Sequence, residues 1–145
     1  MNQFAKLNVA IVATTTLYAC SNTGGFSDMA MNVASSYIGQ YQVTEIEGEA
    51  IVADSKPELS LNDDGTLTGN TGCNNFSGKY EWVGTALSIG EMATTRKMCA
   101  PALIGQEQKI LGALASVKNA KLEGLDIVLI DEHNNPLIRA AKSNE

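Results

Sequence analysis

A chain of 145 residues has room for one domain and little else. Its 44% hydrophobic content is ordinary for a globular protein, while its formal charge of −6 repels phosphate backbones and anionic lipid alike. This weighs against nucleic-acid binding and against electrostatic adhesion to a membrane, so a hold on a membrane would have to be covalent.

The start of the chain offers such a hold. Lys6 and the terminal amine form a weak positive region, and Leu7 to Ala19 carries no charge. As a helix, residues 7–19 would reach roughly 20 Å at about 1.5 Å per residue, short of a bilayer core of about 30 Å. A signal peptide over residues 1–19 fits this length and a spanning helix does not. Its end, Leu17-Tyr18-Ala19-Cys20, resembles a bacterial lipobox: an aliphatic residue, a variable one, a small one, then cysteine. In such signals the cysteine thiol receives a diacylglycerol, cleavage falls before it, and the new amine is acylated. Several acyl chains anchor firmly, since each buried CH₂ contributes about 0.8 kcal/mol. Tyr18 departs from the pattern, where a smaller residue is commoner. Ser21 follows the cysteine, and with no aspartate there the resemblance points to the outer membrane. The alternative is a plain secretory signal with Cys20 incidental.

Residues 20–36 read as lipid anchor and flexible tether, with Gly24-Gly25 and several Ser and Asn. Within them Ser27 to Ala34 has the make-up of a short capped helical turn. A domain over residues 37–141 follows, built of short β-like runs parted by turn signals. Tyr41 to Ile46 alternates. Pro57 to Leu61 leads through Asn62-Asp63-Asp64-Gly65, a hairpin turn, into Thr66 to Gly69. That turn lacks the further carboxylates of a Ca²⁺ loop. Lys79 to Val83 and Ala86 to Ile89 form a second hairpin around Gly84-Thr85. One helix opens at Pro101, a residue suited to the first helical position, and carries Leu103, Ile110, Leu111, Leu114 and Val117 on one stripe. Ala120 to Glu123, Asp126 to Ile130 and Pro136 to Arg139 read as closing strands, with residues 142–145 as a tail. The predicted class is α+β: a small single domain with a twisted antiparallel sheet of about seven short strands and one main helix packed on it.

With Cys20 lipidated, Cys73 and Cys99 remain. An even number of remaining thiols in an exported chain most simply forms one disulfide. Closing a loop of about 27 residues stabilises by roughly 3.5 kcal/mol in the chain-entropy model. Free thiols are the alternative, and a metal site with His133 falls short of a zinc pattern.

Both cysteines stand in distinctive text. Gly69-Asn70-Thr71-Gly72-Cys73-Asn74-Asn75-Phe76-Ser77-Gly78-Lys79-Tyr80 is dense in residues that tolerate positive φ and reads as a sharp turn with close backbone approach. Met92-Ala93-Thr94-Thr95-Arg96-Lys97-Met98-Cys99 comes later. Together they resemble the META domain and, within it, the HslJ-like heat-shock lipoproteins. That family carries a Gly-x-x-x-Cys-Asn-x-Phe-x-Gly run, then Thr-Arg-x-x-Cys, then a helix opening near a proline and bearing a glutamate. The resemblance covers residues 37–140, with Tyr41 where a tryptophan is common. It implies a compact mixed domain linked to stress response and drug tolerance, and in some members to motility or virulence, without a known biochemical activity.

Glu107 falls between Leu103, Ile110, Leu111 and Leu114 on the helical wheel, an unusual place for a carboxylate. It is expected to accept hydrogen bonds from backbone amides or to pair with Arg96, locking the helix to the loop beside Cys99. The rival role is in a ligand or catalytic pocket. Asn74, Asn75, Thr95, Arg96 and Glu107 thus form the candidate binding or structural loop. No catalytic residue stands out: His133 is the one histidine, in a His-Asn-Asn-Pro turn, and neither a phosphate loop nor a defined carboxylate pair is present. The expected protein is a monomeric, non-enzymatic envelope lipoprotein needing no cofactor or metal, held at the outer membrane through Cys20 and serving stress response or envelope integrity. The alternative is a ligand- or peptide-binding or inhibitory module that uses the loop around Cys73 and Arg96.

Overall fold

The computed structural model describes residues 34–143. The signal peptide, Cys20 and the expected helical turn from Ser27 up to Val33 lie outside the described residues.

The elements run β1 (Gly39–Ile46), β2 (Glu49–Ala50), β3 (Glu58–Leu61), β4 (Thr66–Asn70), β5 (Asn75–Val83), β6 (Ala86–Thr94), α1 (Pro101–Ser116), β7 (Asn119–Glu123), β8 (Asp126–Ile130) and β9 (Pro136–Lys142). All pairings are antiparallel, and from β3 to β9 the sheet order follows the chain; β3 pairs with Gly39 to Gln42 of β1, and β2 pairs only with Glu45 and Ile46 at its end. β1 also pairs with β9, from Tyr41↔Lys142 to Ile46↔Ile138. That pairing closes the sheet into a barrel with β2 as an appendage.

Among the described residues the sheet has nine strands, which corrects the expected seven or so. The strand that none of the predicted runs covers, β2, comes from a two-residue hairpin whose turn residues Glu47 and Gly48 take φ of 52° and 80°. Such a primed turn is normally signalled by Asn-Gly or Asp-Gly, and glutamate hides it. β5 and β6 are also longer than the alternation alone suggests, since both continue into the motif text. There Gly69 pairs with Phe76 and Gly78 with Met92. A Cβ on Gly69 would strike the Glu58 carbonyl and the Phe76 ring, and one on Gly78 would press on Met92. These glycines therefore make room for a large neighbour across the strand, and Gly72, at φ 99°, is the one that bends the turn. Gly69→Ala is expected to cost about 2–3 kcal/mol through overpacking, read as a lower urea midpoint.

The core fills the barrel. Tyr41 and Val43 of β1, Leu59 and Leu61 of β3, Leu67 of β4 and Phe76 of β5 point inward, opposed by Ile127, Leu129 and Ile138 from β8 and β9. Helix α1 packs against β1, β6 and β9 and buries Gln106, Ile110, Ala113 and Leu114, with Val117 buried just past its end. Leu103 and Leu111 are only half-buried. The buried stripe is thus rotated by about one residue from the apolar one, which brings Gln106 inside.

Closure is uneven. β6 and β7 share one register pair, Ala86↔Asn119, plus the Leu87 N–H to Lys118 carbonyl bond of 2.9 Å. Helix α1 connects these strands and packs on β6. The residues before β1 fold over the barrel as well. The Tyr37 ring lies 4.8 Å from that of Trp82, and its hydroxyl donates to the Ala120 carbonyl at 3.1 Å. Burial, aided by the nearby Tyr41, raises the Tyr37 hydroxyl above its ordinary pKa. Tyr41, wholly buried, donates to the Tyr37 carbonyl at 2.9 Å, so it ties down the segment that precedes β1.

Candidate functional site

The motif residues meet at one corner of the barrel, where the β4–β5 turn faces the segment that enters α1. The turn holds itself first: the Thr71 N–H donates to the Asn74 carbonyl at 2.8 Å, and the Asn74 N–H to the Thr71 hydroxyl at 3.2 Å. Asn70 closes an Asx turn by accepting the Gly72 N–H at 2.7 Å. Asn74, 4% exposed, then bridges the two segments. Its Oδ1 accepts the Thr95 hydroxyl at 3.0 Å and the Lys97 N–H at 2.8 Å, and its Nδ2 faces Cys99 Sγ at 3.6 Å. The Thr95 hydroxyl in turn accepts the Asn75 N–H at 3.0 Å. Across this network runs the disulfide Cys73–Cys99, with Cα atoms 6.2 Å apart, an ordinary span for such a bond.

The helix is fastened from below by two adjacent side chains. Glu107, half-buried, accepts the Thr71 hydroxyl at 2.9 Å. Among the described residues neither a backbone amide nor Arg96 bonds to it; with Lys97 pinned to Asn74, Arg96 is left exposed. Gln106 is the residue that the sequence reading passes over. Only 5% exposed, it accepts the Val52 N–H at 2.7 Å and donates to the Thr71 carbonyl at 2.7 Å and the Ser55 hydroxyl at 3.1 Å. Ser55 passes its own proton to the Val52 carbonyl at 2.6 Å. One amide therefore ties α1 to the Val52–Ser55 loop and to the motif turn. Gly72 is needed for this, because a Cβ there would sit against the Gln106 amide and Ser55. The available signal was the spacing of Gln106, Ile110, Ala113 and Val117, which is as helical as the purely apolar stripe.

What remains outward is Asn75, Arg96, Lys97 and Met98, all exposed, Met98 completely. The first turn of α1 holds no acidic residue, so this corner is basic in an acidic protein. Asn74 is buried and Thr95 lies at the surface, both with their polar atoms engaged; Asn75 and Arg96 face solvent. Among the described residues no group of His, Cys, Asp or Glu is placed to hold a metal ion. His133 is exposed in the β8–β9 turn, which Asp131 organises by accepting the Asn135 side-chain amide at 2.9 Å and the N–H groups of His133 and Asn135 at 2.8 Å each.

Those bonds hold the Asp131 carboxyl below its ordinary pKa, the Asn135 side chain contributing most. Asp64 in the β3–β4 turn is lowered likewise, first by the Thr66 hydroxyl and then by its N–H. A carboxyl depressed on folding contributes stability above its unfolded value and loses it as the pH falls through the folded one. The melting temperature is therefore expected to be level between about pH 7 and 5 and to drop below about pH 4. Calorimetry of Asp131→Asn should show a shallower drop.

A family model described as the META domain matches residues 35–144. The chain belongs to the META domain family. No curated protein matches it. This META domain shares its fold with solved structures of low identity. One is the NMR structure of a protein from Burkholderia xenovorans, 18% identical, covering 79% of this chain and 89% of that one with a TM-score of 0.62. A second NMR structure is 24% identical, covers 72% and 89%, and has a TM-score of 0.57. A crystal structure of a DUF4847 family protein from Bacteroides vulgatus ATCC 8482 is 14% identical, covers 75% and 95%, and has a TM-score of 0.52.

Proposed function

We propose that this META domain is the folded part of a lipid-anchored envelope protein, held through Cys20 at the outer membrane, and that it acts as a non-enzymatic module in stress tolerance or envelope integrity. The observation that carries the reading is the pairing of Cys73 with Cys99. A structural disulfide needs an oxidising compartment, outside the cytoplasm in most organisms. It also leaves one cysteine of three unpaired, the one that ends Leu17-Tyr18-Ala19-Cys20. Membership of the family supports a generic envelope or stress-related domain. The motif residues Asn74, Thr95 and Glu107 are spent on holding the corner together, which favours a structural role for the motif over a reaction.

Mass spectrometry of the native protein tests both halves. The expected species begins at an acylated Cys20 and is two hydrogens lighter than its dithiol form. An intact first residue with all three cysteines as free thiols would overturn the proposal. The second reading, recognition of a ligand or peptide by the loop around Cys73 and Arg96, has in its favour that Asn75, Arg96 and Met98 are presented on a cross-linked backbone. Its test is a thermal-shift screen in which a stabiliser of the native protein loses its effect in Arg96→Ala.

A further inference from the structure

We propose that the cleft between β2 and the first turns of α1 docks an extended peptide segment of a partner protein, one large apolar side chain filling the cleft while the peptide backbone pairs with Ala50. The proposal rests neither on the anchor at Cys20 nor on the loop around Arg96.

The cleft has a volume of about 210 Å³, with apolar walls from Ile46, Val52, Ala102 and Gly105 and with Glu49 and Lys109 at its rim. Pockets that enclose a drug-sized molecule begin at about 300 Å³. This one is suited to a single leucine or phenylalanine side chain. Gly105 gives the space a reason. Glycine is the poorest helix former after proline, yet a Cβ here would meet nothing within 4 Å. No contact inside the domain requires its absence; a side chain would simply occupy the cleft. The other glycine of α1, Gly112, is exposed and away from the cleft.

The second observation is the edge beside the cleft. The Glu47-Gly48 turn makes Ile46↔Glu49 the closing, hydrogen-bonded pair of a two-residue hairpin. The next pair, Glu45↔Ala50, is then a non-hydrogen-bonded one, so the N–H and C=O of Ala50 point away from β1. β2 is the end strand of the sheet, and among the described residues these two groups have no partner on that side. An arriving strand can exchange both hydrogen bonds with Ala50 and place its next side chain in the cleft, the mode of β-strand addition. This choice of occupant follows from the edge: a lipid chain would fill the apolar volume and leave both backbone groups unused. The Lys109–Glu49 ion pair spans the rim at 2.5 Å, and with side chains 46% and 70% exposed it opens at little cost.

Capped pentapeptides Ser-Thr-X-Thr-Ser, with X as alanine, leucine or phenylalanine, test the site by amide NMR. Saturable shifts centred on Ala50 and Gly105 are expected with leucine and phenylalanine and not with alanine. Gly105→Leu, which places a side chain in open space, should keep the fold and melting temperature and lose about tenfold or more in peptide affinity. The proposal is overturned if neither bulky peptide shifts these amides, if Gly105→Leu binds as well as the parent, or if decanoate shifts them where the peptides do not. Concentration-dependent shifts of the same amides without peptide would assign the cleft to a second copy and overturn it too.

Discussion

Gln106→Leu is expected to destabilise the domain by about 3–4 kcal/mol, a large share of the stability of a small domain. Leucine nearly matches the shape of glutamine and keeps the helix, so the loss isolates the amide. Without it the Val52 N–H and the Thr71 carbonyl are stranded at a buried place, each costing about 1–3 kcal/mol. Gln106→Glu is a sharper probe: one oxygen still accepts the Val52 N–H, while the other meets the Thr71 carbonyl without a proton to offer. Urea denaturation measures both losses, and an unchanged slope with a lowered midpoint would show that the change lies in stability and not in the compactness of the unfolded chain. A cost below about 1 kcal/mol for Gln106→Leu would mean that the three segments hold together without it.

Replacing Cys73 and Cys99 together by serine is expected to remove about 3.5 kcal/mol, the loop-closure term for a sequence separation of 26, and to lower the melting temperature by roughly 10–20 °C. The loop encloses the β5–β6 hairpin, which pairs along most of its length and stays formed in the folded variant. The loss therefore falls on the unfolded state, whose loop is no longer held closed. The corner keeps the Asn74 bonds to Thr95 and Lys97 and gives up only the contact with the sulfur. Reductant added to the native protein should reproduce the drop in the double variant's melting temperature, since both leave the same open chain. Double-variant and single-variant values that differ would report strain or a mispaired thiol.

Features carried by local chemistry are legible in the sequence. Pro101 opens the helix where a missing N–H costs nothing, and Asp64-Gly65 turns the first long hairpin. Cys73 and Cys99 pair by simple arithmetic once Cys20 is set aside. Features carried by distant partners are not. Period-two alternation says which face of β1 is buried and is silent on which strand lies along its edge, so the β1–β9 closure leaves no local trace. The same holds at the corner. Asn74 and Asn75 are identical in type and adjacent in the chain, yet one is buried in the network and the other exposed, because the strand entering at Asn75 turns alternate side chains to opposite faces. Gln106 hides for a related reason: its three partners come from two segments far earlier in the chain, and a polar residue beside an apolar stripe looks like its solvated border.

The pairing of β1 with β9 also sets a timetable. Tyr41 finds its neighbour at Lys142 and Ile46 at Ile138, so the ring has no closing partner until nearly the whole domain has been made. Local hairpins such as β5–β6 form early, while the first strand waits with one edge bare. On the exported route proposed above, that delay would keep the polypeptide extensible until its last strand has crossed the membrane, the barrel locking only on the far side.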